Sequence, residues 1–422
     1  MPAGTGVATY GLTLARTLAS GGHRVEGVFG LDVGENSALR EIEFFDRVGR
    51  DESNQTQRRQ RREKRRILRE ALRPWARPTA VEVPLTGKVE TASLADRLPR
   101  FDRLVSSPDL FAVAHRHFEI YGRFLTVRVD DPPELMHWTY PVPVALAGAR
   151  NVYTLHDLVP LRLPFTTLDV KRTYAGIVAR CVERAAHVCT VSEASRRDIL
   201  EQFPAAAGKL TNCFQASAMP DSATAQPAEA DARALEGVFG LPARGYFLFF
   251  GAVEPKKNVG RLLEAYLELQ TSTPLVIVGA RAWQSEGELR LLSSAGALDR
   301  SGGRVLQLEY LPRALLLKLI RSARAVVFPS LYEGFGLPVL EAMQLGAPVL
   351  TSNAASLPEV AGEAAVYVDP YSVPSIVEGL RGLDADQDLR ERLARAGLAR
   401  AGFFSVPRYL ARLESMYREV LA

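Results

Sequence analysis

Short apolar runs alternate with amphipathic stretches along the second half of the chain. From residue 246 onward the apolar runs are YFLFFGAV, PLVIVGA, RVLQLEYL and AVVFPS, and each is followed by a stretch with helical spacing, such as VGRLLEAYLELQ after the first. Short apolar runs are typical of strands buried on both faces, and their alternation with helices predicts a parallel, doubly wound sheet. This half of the chain is therefore a predicted α/β unit.

The first half of the chain repeats this rhythm less regularly. It has three apolar runs that predict strands, DRLVSS, NVYTLHD and HVCTVS, and amphipathic stretches at 169–185 and 193–203 that predict helices. At its start, GTGVATYG resembles a glycine loop that opens a helix, with Tyr10 and Leu14 on the apolar face of that helix. No strand precedes the loop, which suggests a truncated chain or a misplaced start codon.

Changes in composition divide the chain into two α/β units. Residues 1–203 form the first and residues 243–403 the second, while residues 204–242, rich in Ala, Pro and Ser, form the predicted linker, in which only KLTNCFQ is typical of a strand. Beyond Gly402 a last amphipathic stretch predicts a closing helix that packs on the rest of the protein. The apolar stripe of this helix consists of Tyr409, Leu413, Met416, Tyr417 and Val420.

Composition and charge narrow the class of protein. The chain has 422 residues, too many for one core, and its 47% hydrophobic and 24% charged residues are ordinary for a soluble globular protein. No apolar run approaches the ~18 residues that would cross a bilayer, and no secretory leader is visible after Met1. The three cysteines, Cys181, Cys189 and Cys213, have no disulfide or zinc spacing, which favours a reducing, cytoplasmic compartment.

Residues 323–346, ARAVVFPSLYEGFGLPVLEAMQLG, combine a strand, a glycine loop and a helix. Gly334 and Gly336 permit a tight turn after the strand. Pro338 suits the first helical position, and Gly346 suits the C-terminal cap. Three amides are expected to point unpaired out of the helix N-terminus, where they favour a phosphate: those of Gly336, Leu337 and Val339.

Two glutamates flank this glycine loop. Glu333 lies just before it and Glu341 lies one turn into the helix. Carboxylates repel phosphate but accept hydrogen bonds from hydroxyls, so the ligand that fits both features is a nucleotide sugar. Glu341 would hold the ribose hydroxyls, as the acidic residue of a dinucleotide site does, and Glu333 would hold the transferred sugar. The alternative is a surface helix with two solvated acids, since glycine turns alone are weak signals.

Charged residues also follow two other predicted strands. In GAVEPKKN, Lys256 and Lys257 lie at the carboxyl end of the strand YFLFF, where open α/β sheets bind ligands, and their charges would balance a diphosphate. Asn258 suits the N-terminal cap of the next helix. In YTLHDLVP, His156 and Asp157 leave a strand of the first unit and face the predicted cleft. Taken singly, these signals also fit solvated lysines and a structural histidine.

No spacing of histidines, cysteines or carboxylates is typical of a metal site. His115 and His117 lie two residues apart without a partner cluster, and the single Asp-x-Asp, Asp384 to Asp386, falls in a polar turn far from any glycine loop. We therefore expect no bound metal and no cofactor, because the nucleotide sugar would be a substrate.

Residues 56–75, TQRRQRREKRRILREALRPW, hold nine Lys or Arg against two Glu, although the formal charge of the chain is only +4. The apolar residues of this basic segment recur at helical spacing: Ile67, Leu68, Ala71, Leu72 and Trp75. Such a helix would bind an anionic membrane. The alternatives are a mobile, solvated insertion that touches nothing and, less favoured because no stacking aromatics lie between the arginines, nucleic-acid binding.

Together these motifs resemble the retaining family-4 glycosyltransferases of the GT-B fold. The resemblance runs from GTGVATY through HDL, VSEAS and GAVEPKKN to EGFGLPVLE, SNAASLPE and the closing helix, and EGFGLPVLE with GAVEPKKN upstream is its most specific part. The family implies two Rossmann-like domains that face each other across a cleft. The donor would be held mainly by the C-terminal domain, and residues 404–422 would cross back to complete the N-terminal one.

The resemblance also implies roles for individual residues. His156 and Glu333 would be catalytic, because they would contact the donor sugar while the acceptor attacks from the face that the nucleotide leaves. Many members carry an arginine where this chain has Ala252, so Lys256 would take its place in the diphosphate clamp. The donor-binding residues would be Gly4, Thr5, Gly6, Lys256, Lys257, Gly334, Phe335, Gly336, Leu337 and Glu341.

The resemblance thus implies a retaining hexosyltransferase that uses a nucleotide sugar, and GAVEPKKN with HDLVP looks most like the members that use GDP-mannose. Its acceptor would be a glycan or a lipid-linked saccharide in surface or exopolysaccharide assembly, at the inner face of the membrane. Two alternatives stay open. One is a nucleotide-sugar epimerase of the same fold, and the other is a membrane- or nucleic-acid-binding scaffold that uses the basic segment.

Overall fold

The structure is a computed structural model of the chain. It describes residues 6–34, 39–49, 57–75, 77–91, 94, 98–168, 170–220, 223, 227–282, 285–293 and 305–422. Within these ranges the side chains of residues 57–61, 228 and 292–293 are not described.

The first half of the chain builds a largely parallel α/β unit. Its described strands are β1 (Glu26–Phe29), β2 (Val81–Val83), β3 (Arg103–Ser106), β4 (Leu125–Val127), β5 (Leu135–Trp138), β6 (Val144–Leu146), β7 (Arg150–Thr154), β8 (His187–Thr190) and β9 (Leu210–Asn212). They form three sheets, β1-β3-β2, β4-β6 and β5-β7-β8-β9, in which only β2 and β3 pair antiparallel. The described helices are Gly6–Ser20, Arg40–Gly49, Gln57–Ala71, Leu110–Tyr121, Val159–Arg162, Lys171–Arg184 and Glu193–Gln202.

A six-stranded, fully parallel sheet forms the core of the second half. Its strands are β10 (Phe247–Phe250), β11 (Leu275–Val278), β12 (Val305–Leu308), β13 (Ala325–Phe328), β14 (Val349–Ser352) and β15 (Ala365–Val368), in the order β12-β11-β10-β13-β14-β15. The described helices are Ala228–Phe239, Val259–Leu269, Ser285–Glu288, Arg290–Ser293, Arg313–Ser322, Leu337–Gln344, Leu357–Ala361, Val373–Ala385, Gln387–Ala401 and Val406–Leu421. The predicted doubly wound sheet is confirmed.

The strand order of this sheet reverses between β10 and β13. Parallel sheets with helices on both faces bind ligands in the crevice at such a switch point, beyond the carboxyl ends of the strands. Both strands are buried at every position, which explains why they are continuous apolar runs in the sequence. The segments that follow them, 251–258 and 329–336, therefore form the candidate ligand site.

The closing helix, Val406–Leu421, returns to the first half. Its buried residues are Tyr409, Leu413, Met416 and Val420, as the apolar stripe predicts. The helix contacts the first helix, Gly6–Ser20, and the Tyr417 hydroxyl lies 2.6 Å from Nδ1 of His137 on β5. The predicted GT-B arrangement, with a final helix that crosses back, is confirmed.

The segment 204–242, predicted as the linker, contains elements of both units. Strand β9 within it pairs with β8 in the first unit, whereas helix Ala228–Phe239 packs on helix Arg313–Ser322 of the second. Where these two helices pack together, the buried Asp231 forms ion pairs with Lys318 at 3.1 Å and Arg321 at 3.2 Å. The described residues 213–220, 223 and 227 lie between these two elements.

The basic helix, Gln57–Ala71, packs against helix Leu110–Tyr121. The guanidinium of Arg66 forms ion pairs with both Asp32 and Asp109, which follow the carboxyl ends of β1 and β3. The Tyr121 hydroxyl donates to the carbonyl of Leu72 at 2.8 Å. The alternative of an insertion that touches nothing is therefore wrong, because ion pairs at its C-terminal half fix this helix to the first unit.

Candidate active site

A glycine loop joins β13 to the helix Leu337–Gln344, as the sequence predicts. Gly336, at the cap of this helix, has φ +103°, a conformation that L side chains rarely adopt. Pro338 is the second residue of the helix, and Gly346 follows its end with φ +68°. One expectation is wrong: the Val339 amide is not unpaired, since it donates to the Gly336 carbonyl at 3.0 Å. The phosphate cradle therefore narrows to the amides of Gly336 and Leu337.

Gly334 is required because the loop after β7 approaches it closely, and not because the turn needs a glycine conformation at this position. A Cβ atom at this position would lie 2.7 Å from Oδ2 of Asp157 and 2.8 Å from the carbonyl oxygen of His156. Real Cβ atoms do not approach other atoms so closely, so any side chain would push the two units apart here. The loop after β13 and the loop after β7 thus meet across the cleft at Gly334.

Glu333 forms a buried ion pair with Lys257. Its Oε1 lies 2.7 Å from the Lys257 ammonium, and both side chains are nearly buried. Burial raises the pKa of the Glu333 carboxyl, but the charges of Lys257 and Lys256 outweigh burial and hold the pKa below its ordinary value. Glu333 is therefore ionised and acts only as a hydrogen-bond acceptor at neutral pH.

Lys256 lies in the same electrostatic cluster. Burial lowers the pKa of its ammonium group, but the carboxylates of Glu333, Glu254 and Asp157 outweigh burial and raise the pKa. Its Nζ lies 3.4 Å from Oε1 of Glu254. Two cations therefore lie beside the glycine loop at the switch point of the sheet, as the position of the lysine pair after β10 predicts.

Asn258 does not cap the following helix with its side chain, which corrects the sequence expectation. It has a left-handed backbone, φ 62°, and its amide nitrogen donates to the carbonyls of Pro329 and Pro370 at 3.0 and 2.7 Å. The side chain thus ties the lysine turn to the loop after β13. This contact fixes Lys257 relative to Glu333.

Glu341 is also buried, and it is also paired with a basic side chain. Its Oε1 lies 3.0 Å from Nη2 of Arg313, the first residue of the helix Arg313–Ser322. Sequence reasoning missed Arg313. A signal was available, since a cation at the start of a helix opposes the helix dipole and suggests a specific partner. Each of the two carboxylates beside the phosphate cradle is therefore neutralised by one basic side chain.

His156 follows β7 and faces the glycine loop. Its Nε2 donates to the carbonyl of Thr139 at 2.8 Å, so the ring nitrogen that can contact a ligand is Nδ1. Burial lowers the pKa of His156, and the hydrogen bond to Thr139 and the charge of Asp157 offset this only in part. The ring is therefore neutral at pH 7, and Nδ1 can accept a hydrogen bond from a hydroxyl.

Contacts across the cleft bring the two units together around these residues. Oγ of Ser195 lies 2.8 Å from the carbonyl oxygen of His156 and 3.2 Å from that of Gly334, and it donates to both. The Glu359 carboxylate accepts hydrogen bonds from the amides of Glu193 and Ala194 at 2.6 and 3.1 Å. Sequence reasoning assigned no role to Ser195 or Glu359, because neither lies in a motif with its own chemistry.

A polar cleft of about 470 Å³ lies beside these contacts. It is lined on the first unit by Glu193, Arg197 and Asp198 and on the second by Tyr332, Asn353 and Glu359. The Tyr332 hydroxyl donates to Asp198, which also accepts an ion pair from Arg162 at 2.6 Å. The walls are mostly charged or polar, so they suit a hydrophilic molecule.

The remaining predicted site residues are placed as follows. Gly4 and Thr5 lie outside the described residues, and the first described helix begins at Gly6, where a Cβ would meet nothing within 4 Å. Phe335 is buried, and its ring packs edge-on against Phe404 at 5.4 Å, so its backbone alone can face a ligand. Among the described residues, no group of three or more His, Cys, Asp or Glu is placed to hold a metal ion.

Solved structures share this architecture. The chain aligns over its whole length with 96% of a glycosyltransferase from Rickettsia africae, with a TM-score of 0.59 and 13% identity. It aligns over 94% of its length with 99% of sucrose-phosphate synthase from Thermosynechococcus elongatus, with a TM-score of 0.57 and 18% identity. Two facing α/β units of this kind define the GT-B fold.

Sequence comparisons identify the family. Residues 240–400 match the family model "Glycosyl transferases group 1". O-antigen chain mannosyltransferase B of Escherichia coli is 35% identical over 261 residues, which cover 61% of this chain and 67% of that protein. Serotype-specific mannosyltransferase WbdA of Escherichia coli is 27% identical over 356 residues, 77% of this chain but only 43% of that protein. The chain belongs to the group 1 glycosyltransferases.

Proposed function

We propose that the protein transfers mannose from GDP-mannose to a growing glycan or lipid-linked saccharide in surface or exopolysaccharide biosynthesis. The observation that carries the proposal is the charge pattern at the switch point, where Glu333 is paired with Lys257 and Glu341 with Arg313. This pattern offers acceptors for sugar hydroxyls beside cations and amides for a diphosphate. The names of the relatives, which are mannosyltransferases, support mannose as the sugar.

In this proposal the nucleotide sugar lies along the carboxyl ends of β10 and β13. Glu341 accepts hydrogen bonds from the ribose hydroxyls, and Glu333 and Nδ1 of His156 accept them from the sugar. Lys256 and Lys257 and the backbone of residues 334–337 surround the diphosphate, joined by the loop at Gly4, Thr5 and Gly6. No metal ion has a part in this binding mode.

We further propose that transfer retains the configuration at the anomeric carbon. The acceptor oxygen bonds to this carbon on the face that the nucleotide leaves, while the bond to the diphosphate oxygen breaks. The departing diphosphate takes the proton of the acceptor hydroxyl. Lys256, Lys257 and the helix amides stabilise the charge that develops on the diphosphate, and Glu333 and His156 orient the sugar.

The test is a transfer assay with GDP-, UDP- and ADP-sugars and saccharide acceptors, with the anomeric configuration of the product read by NMR. Glu333→Gln and Lys257→Ala should each lower transfer by about 10-fold or more, because each removes one electrostatic contact. Asp231→Asn is the matched control, since Asp231 is a buried, ion-paired carboxylate on the outer helices. Transfer that survives both site variants would contradict the assignment.

The same assay separates the alternatives. Conversion of the donor to an epimer without any acceptor would indicate a nucleotide-sugar epimerase. The absence of any turnover with all donors, together with binding that persists without Glu333 and Lys257, would indicate a binding scaffold.

We also propose that the protein acts at the inner, cytoplasmic face of a membrane, through its basic helix. The predicted apolar stripe of this helix divides into two sets. Ala71 is buried against the first unit, whereas Leu68, Leu72 and Trp75 are exposed, the last by 79%. Exposed apolar side chains flanked by arginines suit an anionic lipid surface. Among the described residues, no helix has both the length and the apolar composition to cross a bilayer.

Vesicle flotation at low salt tests the membrane proposal. The protein should float with vesicles that contain anionic lipid, and Leu72→Glu with Trp75→Glu should abolish flotation. Leu398→Glu is the matched control, because Leu398 is similarly exposed on a helix of the second unit. Failure of the unaltered protein to bind anionic vesicles would rule the proposal out.

A further inference from the structure

A network of hydrogen bonds, buried at Tyr10 and Thr154 and part-buried at His137 and Tyr417, links the closing helix to β7. The Tyr417 hydroxyl lies 2.6 Å from Nδ1 of His137, and Nε2 of His137 lies 2.7 Å from Oγ1 of Thr154. Oγ1 of Thr154 also lies 2.9 Å from the hydroxyl of Tyr10. These three hydrogen bonds therefore join four elements: the closing helix, β5, β7 and the first helix.

The last residue of this hydrogen-bond network, Tyr10, packs against His156. The Tyr10 ring meets the His156 ring edge to face, with centroids 4.7 Å apart and planes at 87°. Thr154 stands two residues before His156 at the end of the same strand. Tyr10 and Thr154 are buried, so a hydroxyl that lost its partner here would stay unsatisfied and would shift to find another.

His156 itself has little else to fix its ring. Among the described residues, its one ring hydrogen bond is that from Nε2 to the Thr139 carbonyl, which allows the ring to pivot about this contact. The Tyr10 ring packs against the His156 ring and restricts that pivot. The direction of Nδ1 therefore depends on the position of Tyr10, which in turn depends on Thr154 and His137.

We propose that Tyr10, Thr154, His137 and Tyr417 are positioning residues that orient His156 toward the donor sugar and make this orientation depend on docking of the closing helix. The inference rests on the proposed function, because it assumes that His156 contacts the sugar. The helix that crosses back would thereby have a part in catalysis besides completing the fold.

Thr154→Val and Tyr417→Phe test the proposal in the full chain. Each substitution removes one hydroxyl from the hydrogen-bond network and changes the shape of the side chain little. Because misplacement of a contact by about 1 Å can cost up to 100-fold, we expect kcat to fall by about 10-fold or more while KM for the donor changes by less than about threefold. Thr154→Ser, which keeps the hydroxyl, should restore kcat.

Matched controls remove equivalent hydroxyls elsewhere. Thr211→Val breaks the contact of Thr211 with Nε2 of His187, a threonine–histidine pair at 2.8 Å on the neighbouring strands β8 and β9. Tyr246→Phe removes a buried tyrosine hydroxyl that donates to the Leu319 carbonyl at 2.7 Å. Both controls should keep kcat, so that a loss common to all four variants would overturn the proposal.

NMR of ¹⁵N-labelled histidine gives a readout that does not depend on turnover. The His156 signals, assigned by their loss in His156→Gln, should report one Nε2–H tautomer in the unaltered protein and should shift or broaden in Thr154→Val and Tyr417→Phe. Unchanged His156 signals together with unchanged kcat would overturn the proposal. If the unaltered protein transferred no sugar but its His156 signals still changed in both variants, the positioning role would stand and the proposed function would fail.

Discussion

At the scale of single residues, the pair Glu333–Lys257 allows a test of how much each charge depends on the other. Removing one partner of a buried ion pair leaves an uncompensated charge, which costs about 3–5 kcal/mol. Lys257→Met should therefore lower the free energy of unfolding by an amount of this order, measured by denaturant titration at pH 7. Because Lys256 remains near Glu333, we expect the loss of unfolding free energy to lie at the lower end of this range.

The double variant separates stability from catalysis. Lys257→Met with Glu333→Gln removes both charges and should recover part of the lost unfolding free energy, because no unpaired carboxylate is left at Glu333 and Lys256 keeps its ion pair with Glu254. Transfer activity should not recover, since the contacts to sugar and diphosphate are both gone. A loss of stability in the double variant equal to the sum of the losses in Lys257→Met and Glu333→Gln would show that the pair is not coupled.

His156 predicts the pH dependence of transfer. Its folded pKa lies below the ordinary value of 6.5 because burial disfavours the cation, so the neutral ring persists at and above that pH. Protonation at lower pH removes the acceptor on Nδ1, and kcat/KM should be level near neutrality and fall only below pH 6.5. Glu333 titrates below its ordinary 4.5 and cannot cause this limb. The His156→Asn variant should be less active, but its kcat/KM should not show this fall below pH 6.5.

The residues that sequence analysis proposed are those with recognisable chemistry at strand ends, such as Lys257, Glu333 and His156. Sheet topology brings such ends together whatever the details of packing. Arg313, Ser195 and Glu359 could not be assigned in this way. Each acts through a partner that is distant in sequence, and the pairing depends on how two units meet rather than on a local pattern. The roles given to the predicted site residues stay predictions.

At the scale of elements, the glycine loop carries a prediction about the cleft. Gly334→Ala would place a methyl group 2.7 Å from the Asp157 carboxylate and 2.8 Å from the His156 carbonyl, so the two loops must separate. We expect kcat to fall by about 10-fold or more, while GDP binding, measured by calorimetry, changes little because the nucleotide contacts lie within the second unit.

Gly237→Ala is the control for this substitution. Gly237 lies in the helix Ala228–Phe239, and a Cβ there would meet nothing within 4 Å. Alanine favours a helix over glycine, so this variant should keep full activity and gain about 0.5–1 kcal/mol of stability. A Gly334→Ala variant with normal kcat would mean that the closed contact at Asp157 has no part in transfer.

Elements differ in how far the sequence determines them. Strands β10, β11 and β13 are buried at every position and give unbroken apolar runs, and the half-buried edge strand β12 is also apolar enough to be located from the sequence. Strands β2, β4 and β6 have three residues each and leave no such run. Within the predicted linker, KLTNCFQ indicates the edge strand β9, whereas the Ala- and Pro-rich composition hides the helix Ala228–Phe239.

At the scale of the whole molecule, the Glu359 carboxylate joins the two units. Its carboxylate accepts hydrogen bonds from the first amides of the helix Glu193–Gln202 in the opposite unit. Such charge-assisted bonds contribute about 1.5–3 kcal/mol, which corresponds to roughly 10-fold or more in the closed population. Glu359→Ala should therefore increase the radius of gyration of the free protein in X-ray scattering.

The donor should oppose this opening, because in the proposed binding mode it contacts residues of both units, Glu333 on one side and His156 on the other. Saturation of Glu359→Ala with GDP-mannose should thus return the radius of gyration to that of the unaltered protein, and the donor KM should rise because part of the binding energy now closes the cleft. Glu378→Ala, on an exposed position of the helix Val373–Ala385, should change neither quantity. A free Glu359→Ala protein as compact as the unaltered one would show that other contacts, such as Tyr332 with Asp198, suffice for closure.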